Sequence, residues 1–347
     1  MKPNLTIIYG TRPEAIKLAS LCEALRSLGA RVHTICTGQH TTLLEQVPGP
    51  VGDTNESLDM ASKGEVAWWR TRAACRLRAA ITAASPDAVI VQGDTMSAVA
   101  GAEASSYAAV PLIHVEAGVR SHQLDDPDPE ERLRLEIAQL ADLNIPATAT
   151  ARDNLIHEDI PGKVTPPTGN TGVSTFLNKH YSAPFGISFG PYLVTLHRRE
   201  LREDPNLEKI LTALNGGYLW SWPVHPAIKD QAWAYSDMHL TTAISYAEMN
   251  WFLKSGTISA ILTDSGGLVE EAATLGIPTA ILRNFNDRPE AVQAGYARRF
   301  NRTPSGVRCA IDALENDKIL KPTLTPFPYG TADSAANCAE TIIEFLK

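Results

Sequence analysis

Three groups of carboxylates carry the first chemistry this chain can be read for. Asp94 stands in Gln92-Gly93-Asp94-Thr95, Glu116 in Glu116-Ala117-Gly118-Val119-Arg120, and Glu130 and Glu131 close the acidic run Asp125-Asp126-Pro127-Asp128-Pro129-Glu130-Glu131. Asp94 and Glu116 each come just after an apolar run of strand length, and the pair sits in the loop that follows. Carboxylates gathered in this way suit general acid/base work, because mutual repulsion and burial raise one pKa toward neutrality. Blander readings stand beside this one: Asp94 and Glu116 as helix caps or loop hydrogen-bonders, Glu130 and Glu131 as a solvated acidic helix start. His197, after Leu193-Val194-Thr195-Leu196 and before Arg198-Arg199, is placed to present a proton or hydrogen bond to a departing phosphate; a lone histidine there otherwise serves the structure.

A second constellation suits a diphosphate. In Asp264-Ser265-Gly266-Gly267-Leu268-Val269-Glu270-Glu271-Ala272 small residues stand between a strand and a helix start. Free backbone N–H groups and the helix dipole favour an anion there, and glycine lets a phosphate come close. An ordinary tight turn with Ser265 as N-cap explains the same residues equally well. Glu271, one turn into that helix, either accepts ribose hydroxyl hydrogens or simply favours the helix N-terminus. Arg12, Lys17 and Arg288 are candidate counter-charges, and an arginine fork can hold a diphosphate bidentately. Arg12 lies in a strand-to-helix loop and Arg288 in the polar loop Asn286-Asp287-Arg288-Pro289-Glu290, although any one such cation is more often a solvated surface charge.

Other chemistries lack their residues. A GxSxG elbow, a P-loop and a GxGxxG fingerprint are all absent, which disfavours serine hydrolases, ATPases and dehydrogenases. No metal triad is evident. The five cysteines are scattered and never in CxxC or Cys/His ligand spacing, so they read as reduced filler of a cytosolic protein, with Cys36 as the one position near a loop for a nucleophile. A formal charge of -8 disfavours nonspecific nucleic-acid or anionic-membrane binding and makes any phosphate site a local one. Met1 leads into Leu5-Thr6-Ile7-Ile8-Tyr9 without a basic leader, and no stretch approaches about 18 apolar residues. Neither export nor membrane insertion is signalled.

These groups need a scaffold that sets loop ends side by side. At 347 residues the chain exceeds one ordinary core and suggests two lobes. Short apolar runs alternate with helix-length amphipathic segments, the mark of a parallel sheet wrapped by helices. In the first half, strands are expected at Leu5–Tyr9, Arg31–Cys36, Ala88–Val91, Pro111–Val115 and Leu143–Pro146, with helices at Glu14–Leu28, Glu65–Ala84 and Ser97–Ala108. The Pro/Gly/Thr-rich stretch from Pro161 to Asn170 reads as a strand and interdomain connection. Alternation resumes with strands at Tyr192–Leu196, Tyr218–Val224, Ala260–Leu262 and Thr279–Leu282, a helix from near Gly267 and a terminal helix over Ala332–Leu346. Ligands of open parallel sheets bind beyond the carboxyl ends of the strands, and here the residues at those ends are polar throughout.

Taken in order, Gly10-Thr11-Arg12-Pro13-Glu14-Ala15-Ile16-Lys17, Thr37-Gly38-Gln39-His40, Gly93-Asp94-Thr95, His114-Val115-Glu116-Ala117-Gly118-Val119-Arg120, Pro129-Glu130-Glu131, Gly169-Asn170-Thr171, His197-Arg198-Arg199-Glu200, Thr263-Asp264-Ser265-Gly266-Gly267 and Arg288-Pro289-Glu290-Ala291-Val292 resemble the UDP-N-acetylglucosamine (UDP-GlcNAc) 2-epimerases. The resemblance implies an α/β protein of two Rossmann-like domains in the glycosyltransferase B (GT-B) architecture, with its active site in the interdomain cleft. Residues 1–170 would carry the catalytic carboxylates, 171–331 would bind UDP, and a C-terminal helix over 332–347 would pack back on the first domain. It implies a cytoplasmic homodimer that acts on a UDP-sugar in cell-surface polysaccharide biosynthesis, with no nucleic-acid or membrane partner, no metal and no cofactor. The implied reaction is anti-elimination of UDP to 2-acetamidoglucal and re-addition with opposite C2 configuration; it never oxidises the sugar, so NAD is not needed. By the same resemblance Asp94, Glu116 and Glu131 are the catalytic carboxylates, and His197 lies near the scissile phosphate. Arg12 and Lys17 line the cleft, Ser265, Gly266, Gly267, Glu271 and Arg288 fall on UDP-binding positions, and His225 falls on a further substrate-binding position.

The chain departs from the family pattern at several points. Leu133 stands for an Asn before Arg134, Ala138-Gln139 for Asp-His, Leu201 for the Asn after His-Arg-Arg-Glu, Val269 for Gln and Phe285-Asn286 for Thr-Thr. Some relatives bind a second UDP-GlcNAc as activator through a Gln-His-x-Gln pattern; Gln39 and His40 are kept here, but Thr42 takes the second Gln position, which speaks against allosteric activation. A hydrolysing epimerase that releases ManNAc and UDP is one alternative reading. A GT-B glycosyltransferase and a UDP-sugar binder without turnover are the others, and the retained carboxylates argue against those two.

Overall fold

A computed structural model describes residues 2–39, 55–60, 66–125, 127–215, 219–316 and 327–347. His40, Thr42, Glu65, Asp126 and Tyr218 of the sequence reading lie outside the described residues. The chain folds as two compact units, Met1–Asn178 with Tyr329–Lys347, and Lys179–Pro328.

The first unit holds a parallel sheet of β1 (Asn4–Tyr9), β2 (Arg31–Cys36), β3 (Glu56–Ser57), β4 (Ala88–Gln92), β5 (Leu112–Val115), β6 (Leu143–Ile145) and β7 (Lys163–Val164), in the order β3-β2-β1-β4-β5-β6-β7. Its helices are α1 (Arg12–Ser27), α2 (Val66–Ala84), α3 (Met96–Ala108), α4 (Glu130–Leu140), α5 (Ala149–His157) and α6 (Thr171–Asn178). Successive side chains of a strand point to opposite faces, and both faces here are covered. Leu5, Ile7 and Tyr9 of β1 therefore join one core with Leu18 and Leu21 of α1, while Ile8 joins another with Ala98 and Ala102 of α3. This is why the central strands read as unbroken apolar runs. The small residues of α3 let it lie close on the sheet: a Cβ on Gly101 would stand 2.9 Å from Val91 Cγ1.

The second unit holds β8 (Tyr192–Thr195), β9 (Trp220–Val224), β10 (His239–Thr242), β11 (Ala260–Thr263), β12 (Thr279–Leu282) and β13 (Ala297–Phe300), again all parallel, in the order β10-β9-β8-β11-β12-β13. Its larger helices are α7 (Lys229–Tyr235), α8 (Tyr246–Lys254), α9 (Gly266–Leu275) and α10 (Pro304–Glu315), and α11 (Ser334–Phe345) closes the chain in the first unit. In both sheets the strand order reverses once, between β1 and β4 and between β8 and β11. Such switch points leave a crevice at the strand ends where ligands bind.

The unit boundaries differ from the 170/171 and 331/332 divisions expected from sequence. The first unit continues to Asn178 because α6 packs on α1: Phe176 is buried, and Thr175 Oγ1 donates to Ser20 Oγ at 2.9 Å. The returning chain joins at Tyr329, whose carbonyl accepts from the Asn170 amide at 2.8 Å. From there α11 buries Cys338, Ala339 and Ile342 in the core that contains α1. Among the described residues no helix is long and apolar enough to cross a membrane.

Candidate functional site

In the first unit, Glu116 is the first residue beyond β5, and its φ is +61°. A side-chain-bearing residue held in the left-handed region costs about 1–2 kcal/mol, so its neighbours must hold it there. Lys17, from α1, places Nζ 2.6 Å from both carboxylate oxygens. Gln92, the last residue of β4, donates to Oε2 at 2.8 Å, and Asn170, just before α6, at 3.3 Å. Four segments distant in sequence therefore meet on one carboxylate.

Asp94 follows β4 through Gly93, whose φ is +69°. The Arg134 guanidinium on α4 approaches Asp94 Oδ2 with Nη2 at 2.6 Å and Nε at 2.7 Å, and reaches Glu131 Oε2 with Nη1 at 2.9 Å. Glu131 also accepts the amides of Ser121 and His122, at 2.9 and 3.1 Å for the shorter contacts. Sequence reasoning expected mutual repulsion to tune these carboxylates. In the structure Asp94 and Glu131 share one buried guanidinium, and Glu116 takes an ammonium.

Behind these groups lies His114, on β5, with Nε2 2.8 Å from the Gly93 carbonyl. Burial, with Arg120 adding to it, pushes the imidazole down to about 4. The ring is neutral, and Nε2 carries the proton it donates to Gly93. Arg12, the first residue of α1, has its pKa lowered by burial, and among the described residues it has no carboxylate partner. A partly buried, unneutralised guanidinium at a helix N-terminus is prepared for an anion. Cys36 is buried and its thiol is pushed up by burial, which keeps it protonated and speaks against a nucleophilic role.

In the second unit Asp264 is the organising carboxylate. Buried just after β11, it accepts the amides of His197 and Arg198, each at 2.9 Å, and lies 3.3 Å from His197 Nδ1. This joins the two loops at the switch point and fixes the His197 ring. The His225 ring lies 5.3 Å from it, centroid to centroid, with its own Nδ1 accepting the Ala227 amide at 3.1 Å.

Ser265 is the N-cap of α9, accepting from the Leu268 amide. The two glycines after it do different work. A Cβ on Gly266 would stand 2.7 Å from Arg288 Nη1, whereas nothing lies within 4 Å of one on Gly267. Gly266 makes room for an arginine; Gly267 faces open space. Arg288 is itself nearly buried, with Nε 2.5 Å from Glu270 and Nη1 2.9 Å from Asp287, and Asp287 is held in turn by Arg283 at 2.6 Å. Glu271 lies among Tyr246, Tyr181 and Lys254; burial and this carboxylate push the Tyr246 phenol far above its usual range, so it remains a hydroxyl.

The structure thus gathers Lys17, Asp94, Glu116 and Glu131 with Arg12 at the strand ends of the first unit. His197, His225, Ser265, Gly266, Gly267, Glu271 and Arg288 stand at those of the second. Sequence reasoning missed Gln92, His114, Arg134, Asn170, Asp264, Glu270 and Asp287 as functional supports. Arg134 had a local signal, three residues after Glu131 on one helix face. Gln92, His114, Asn170, Asp264, Glu270 and Asp287 lay inside motifs already singled out, but no local pattern showed which partners they would meet.

Two parallel α/β units, each with polar loops at its switch point, define a protein of the GT-B class. The family is narrower than the class. The family model described as UDP-N-acetylglucosamine 2-epimerase matches residues 23–344. The UDP-N-acetylglucosamine 2-epimerase of Bacillus subtilis is 31% identical over 367 residues, covering 99% of this chain and 95% of that protein. Among solved structures, S. aureus MnaA in a co-structure with UDP has a TM-score of 0.87 at 30% identity, covering 100% of this chain and 97% of the other. The UDP-GlcNAc 2-epimerase of Neisseria meningitidis, bound to UDP-GlcNAc, has a TM-score of 0.87 at 27% identity, covering 99% and 100%. The chain belongs to the UDP-N-acetylglucosamine 2-epimerase family, a family of isomerases.

Proposed function

We propose that the chain interconverts UDP-GlcNAc and UDP-N-acetylmannosamine (UDP-ManNAc) by anti-elimination of UDP through 2-acetamidoglucal and re-addition. The observation that carries this reading is the set of three carboxylates, Asp94, Glu116 and Glu131, each fixed by a cation at the strand ends of a chain of this family. The C2 proton is not acidic in the ground state. Departure of UDP breaks the C1–O bond and builds positive charge at C1; a carboxylate then takes the C2 proton, and the C2–H pair becomes the C1=C2 bond. The C1–O pair leaves with the diphosphate. Re-addition reverses these steps with a proton delivered to the other face of C2, so more than one proton-carrying group is needed.

Stabilising the leaving diphosphate is then the main electrostatic task. The Ser265 turn, the open position at Gly267 and the dipole of α9 support diphosphate binding, and the unneutralised Arg12 supports added positive charge. Arg288, its own charge met by Glu270 and Asp287, keeps donors near the turn. His197, with Asp264 beside Nδ1, serves the scissile phosphate, and His225 stands next to it on the substrate side. Glu271 with Tyr246 serves the ribose. The related structures from S. aureus and Neisseria meningitidis, one with UDP and one with UDP-GlcNAc, support the same ligand here.

The test is product analysis by ion-pair chromatography of purified protein with UDP-GlcNAc. The expected result is a UDP-GlcNAc/UDP-ManNAc mixture reached from either side, with the Asp94→Asn variant slower by about 10²-fold or more. Stoichiometric free ManNAc and UDP would place the chain among hydrolysing epimerases, and unchanged substrate would sink the proposal.

A further inference from the structure

Glu14 is a buried carboxylate that the reaction above does not use. It is the third residue of α1 and forms a capping box with Thr11, a local role that requires only the Thr11 amide and hydroxyl. Its contacts go further. Glu14 Oε2 accepts from the Thr11 amide at 2.8 Å, the Thr11 hydroxyl at 2.8 Å and the Gly10 amide at 3.0 Å. Glu14 Oε1 accepts from the Thr95 hydroxyl at 2.6 Å. Thr95 lies across the switch point, next to Asp94, and Thr11 is next to Arg12.

The direction of these bonds is set by the helices. Thr95 Oγ1 accepts the Ala98 amide at 3.0 Å as N-cap of α3, and Thr11 Oγ1 accepts the Glu14 amide at 3.5 Å, so each hydroxyl proton is left for the carboxylate. The first loop also lies close against the start of α3: a Cβ on Gly10 would stand 2.0 Å from Ser97 Oγ. Glu14 is only 2% exposed. Burial pushes its carboxyl up to about 7, with all four donors acting in the opposite sense. A helix cap alone does not require a carboxylate taken this far out of water.

We propose that Glu14 is a positioning residue, tying the loop that carries Arg12 to the loop that carries Asp94 and so setting the distance between the leaving-group charge and a catalytic carboxylate. The proposal rests on the roles given to Arg12 and Asp94 above. Misplacement of reacting groups by about 1 Å costs on the order of 10²-fold in rate, so a tie of this kind acts on kcat more than on KM.

The experiment compares Thr95→Ser, Thr95→Asp and Glu14→Gln at pH 8. Serine keeps both the cap and the hydroxyl donor. Aspartate keeps a good N-cap for α3 but sets a carboxylate against Glu14, and glutamine, with one carbonyl oxygen for two sets of donors, sets its NH2 against either the Thr95 hydroxyl or the Gly10 and Thr11 amides. The expected result is kcat within about twofold of wild type for Thr95→Ser, and a fall of about tenfold or more for the other two with KM within about threefold. Equal kcat in the Ser and Asp variants would overturn the proposal, whether or not Glu14→Gln folds. Amide hydrogen exchange at Gly10 and Thr11 gives a reading that needs no turnover: about tenfold faster exchange in Thr95→Asp than in Thr95→Ser is expected, and equal exchange overturns the tie. A wild-type protein inert toward UDP-GlcNAc overturns the proposed function instead, and the exchange comparison still decides on the tie.

Discussion

His114 and the carboxylates around it show how single residues are set by their partners. The neutral His114 ring holds Gly93, and through it the turn into Asp94, by one hydrogen bond. Its folded pKa of about 4 lies below the ordinary 6.5, so between those values the unfolded chain binds a proton that the folded one does not. Stability contributed by the neutral ring is present above about pH 6.5 and is lost as pH falls toward 4. Going from pH 7.5 to pH 5 should remove about 2 kcal/mol of stability from wild type that His114→Gln does not lose, as measured by denaturant unfolding at both pH values. An equal loss in both proteins would contradict the account. At this scale the strand-end positions of Asp94, Glu116 and His197 were legible, because each comes just after an apolar run of strand length. The sequence did not make Arg134 legible as the cation shared by Asp94 and Glu131, because that pairing spans 40 residues and exists only once α4 has packed.

At the scale of elements, the turn from β11 into α9 shows two adjacent glycines with separable tasks. Gly266→Ala puts a methyl against Arg288, which Glu270 and Asp287 hold in place and which cannot yield without breaking those ion pairs. Calorimetric titration with UDP should show at least about tenfold weaker binding, or about 1.4 kcal/mol, for this variant. Unchanged affinity would mean that Arg288 and the turn are not one binding unit. Central strands were legible because burial on both faces leaves continuous apolar runs in β1, β4 and β8. The edge strands of the second sheet were not. β10 is His-Leu-Thr-Thr with no buried residue, and β13 is Ala-Arg-Arg-Phe with both arginines exposed, so neither carries the apolar signature that marks the centre of a sheet. The helix over Thr171–Asn178 was not expected: it follows directly on the Pro161–Asn170 stretch read as a strand and interdomain connection, and it buries Val173 and Phe176.

Over the whole molecule, each unit repeats one plan: a parallel sheet whose order reverses once, with the chemically active side chains at the reversal. The first unit sets three cation-bound carboxylates at its strand ends, and the second a helix N-terminus, two histidines and an arginine. Alternating strand and helix patterns made this two-lobed plan legible. The unit boundaries were less so, since Tyr329 and α6 join the first unit through contacts made far along the chain. In the proposed reaction a proton at C2 is exchanged while UDP leaves and returns. The measurement that meets it most directly is NMR of UDP-GlcNAc incubated with the protein in deuterated buffer, following the C1 and C2 signals. UDP-ManNAc carrying deuterium at C2, with the exchange abolished in Asp94→Asn, is the predicted result; UDP-GlcNAc that keeps its C2 proton and forms no product, even with added UDP, would contradict it.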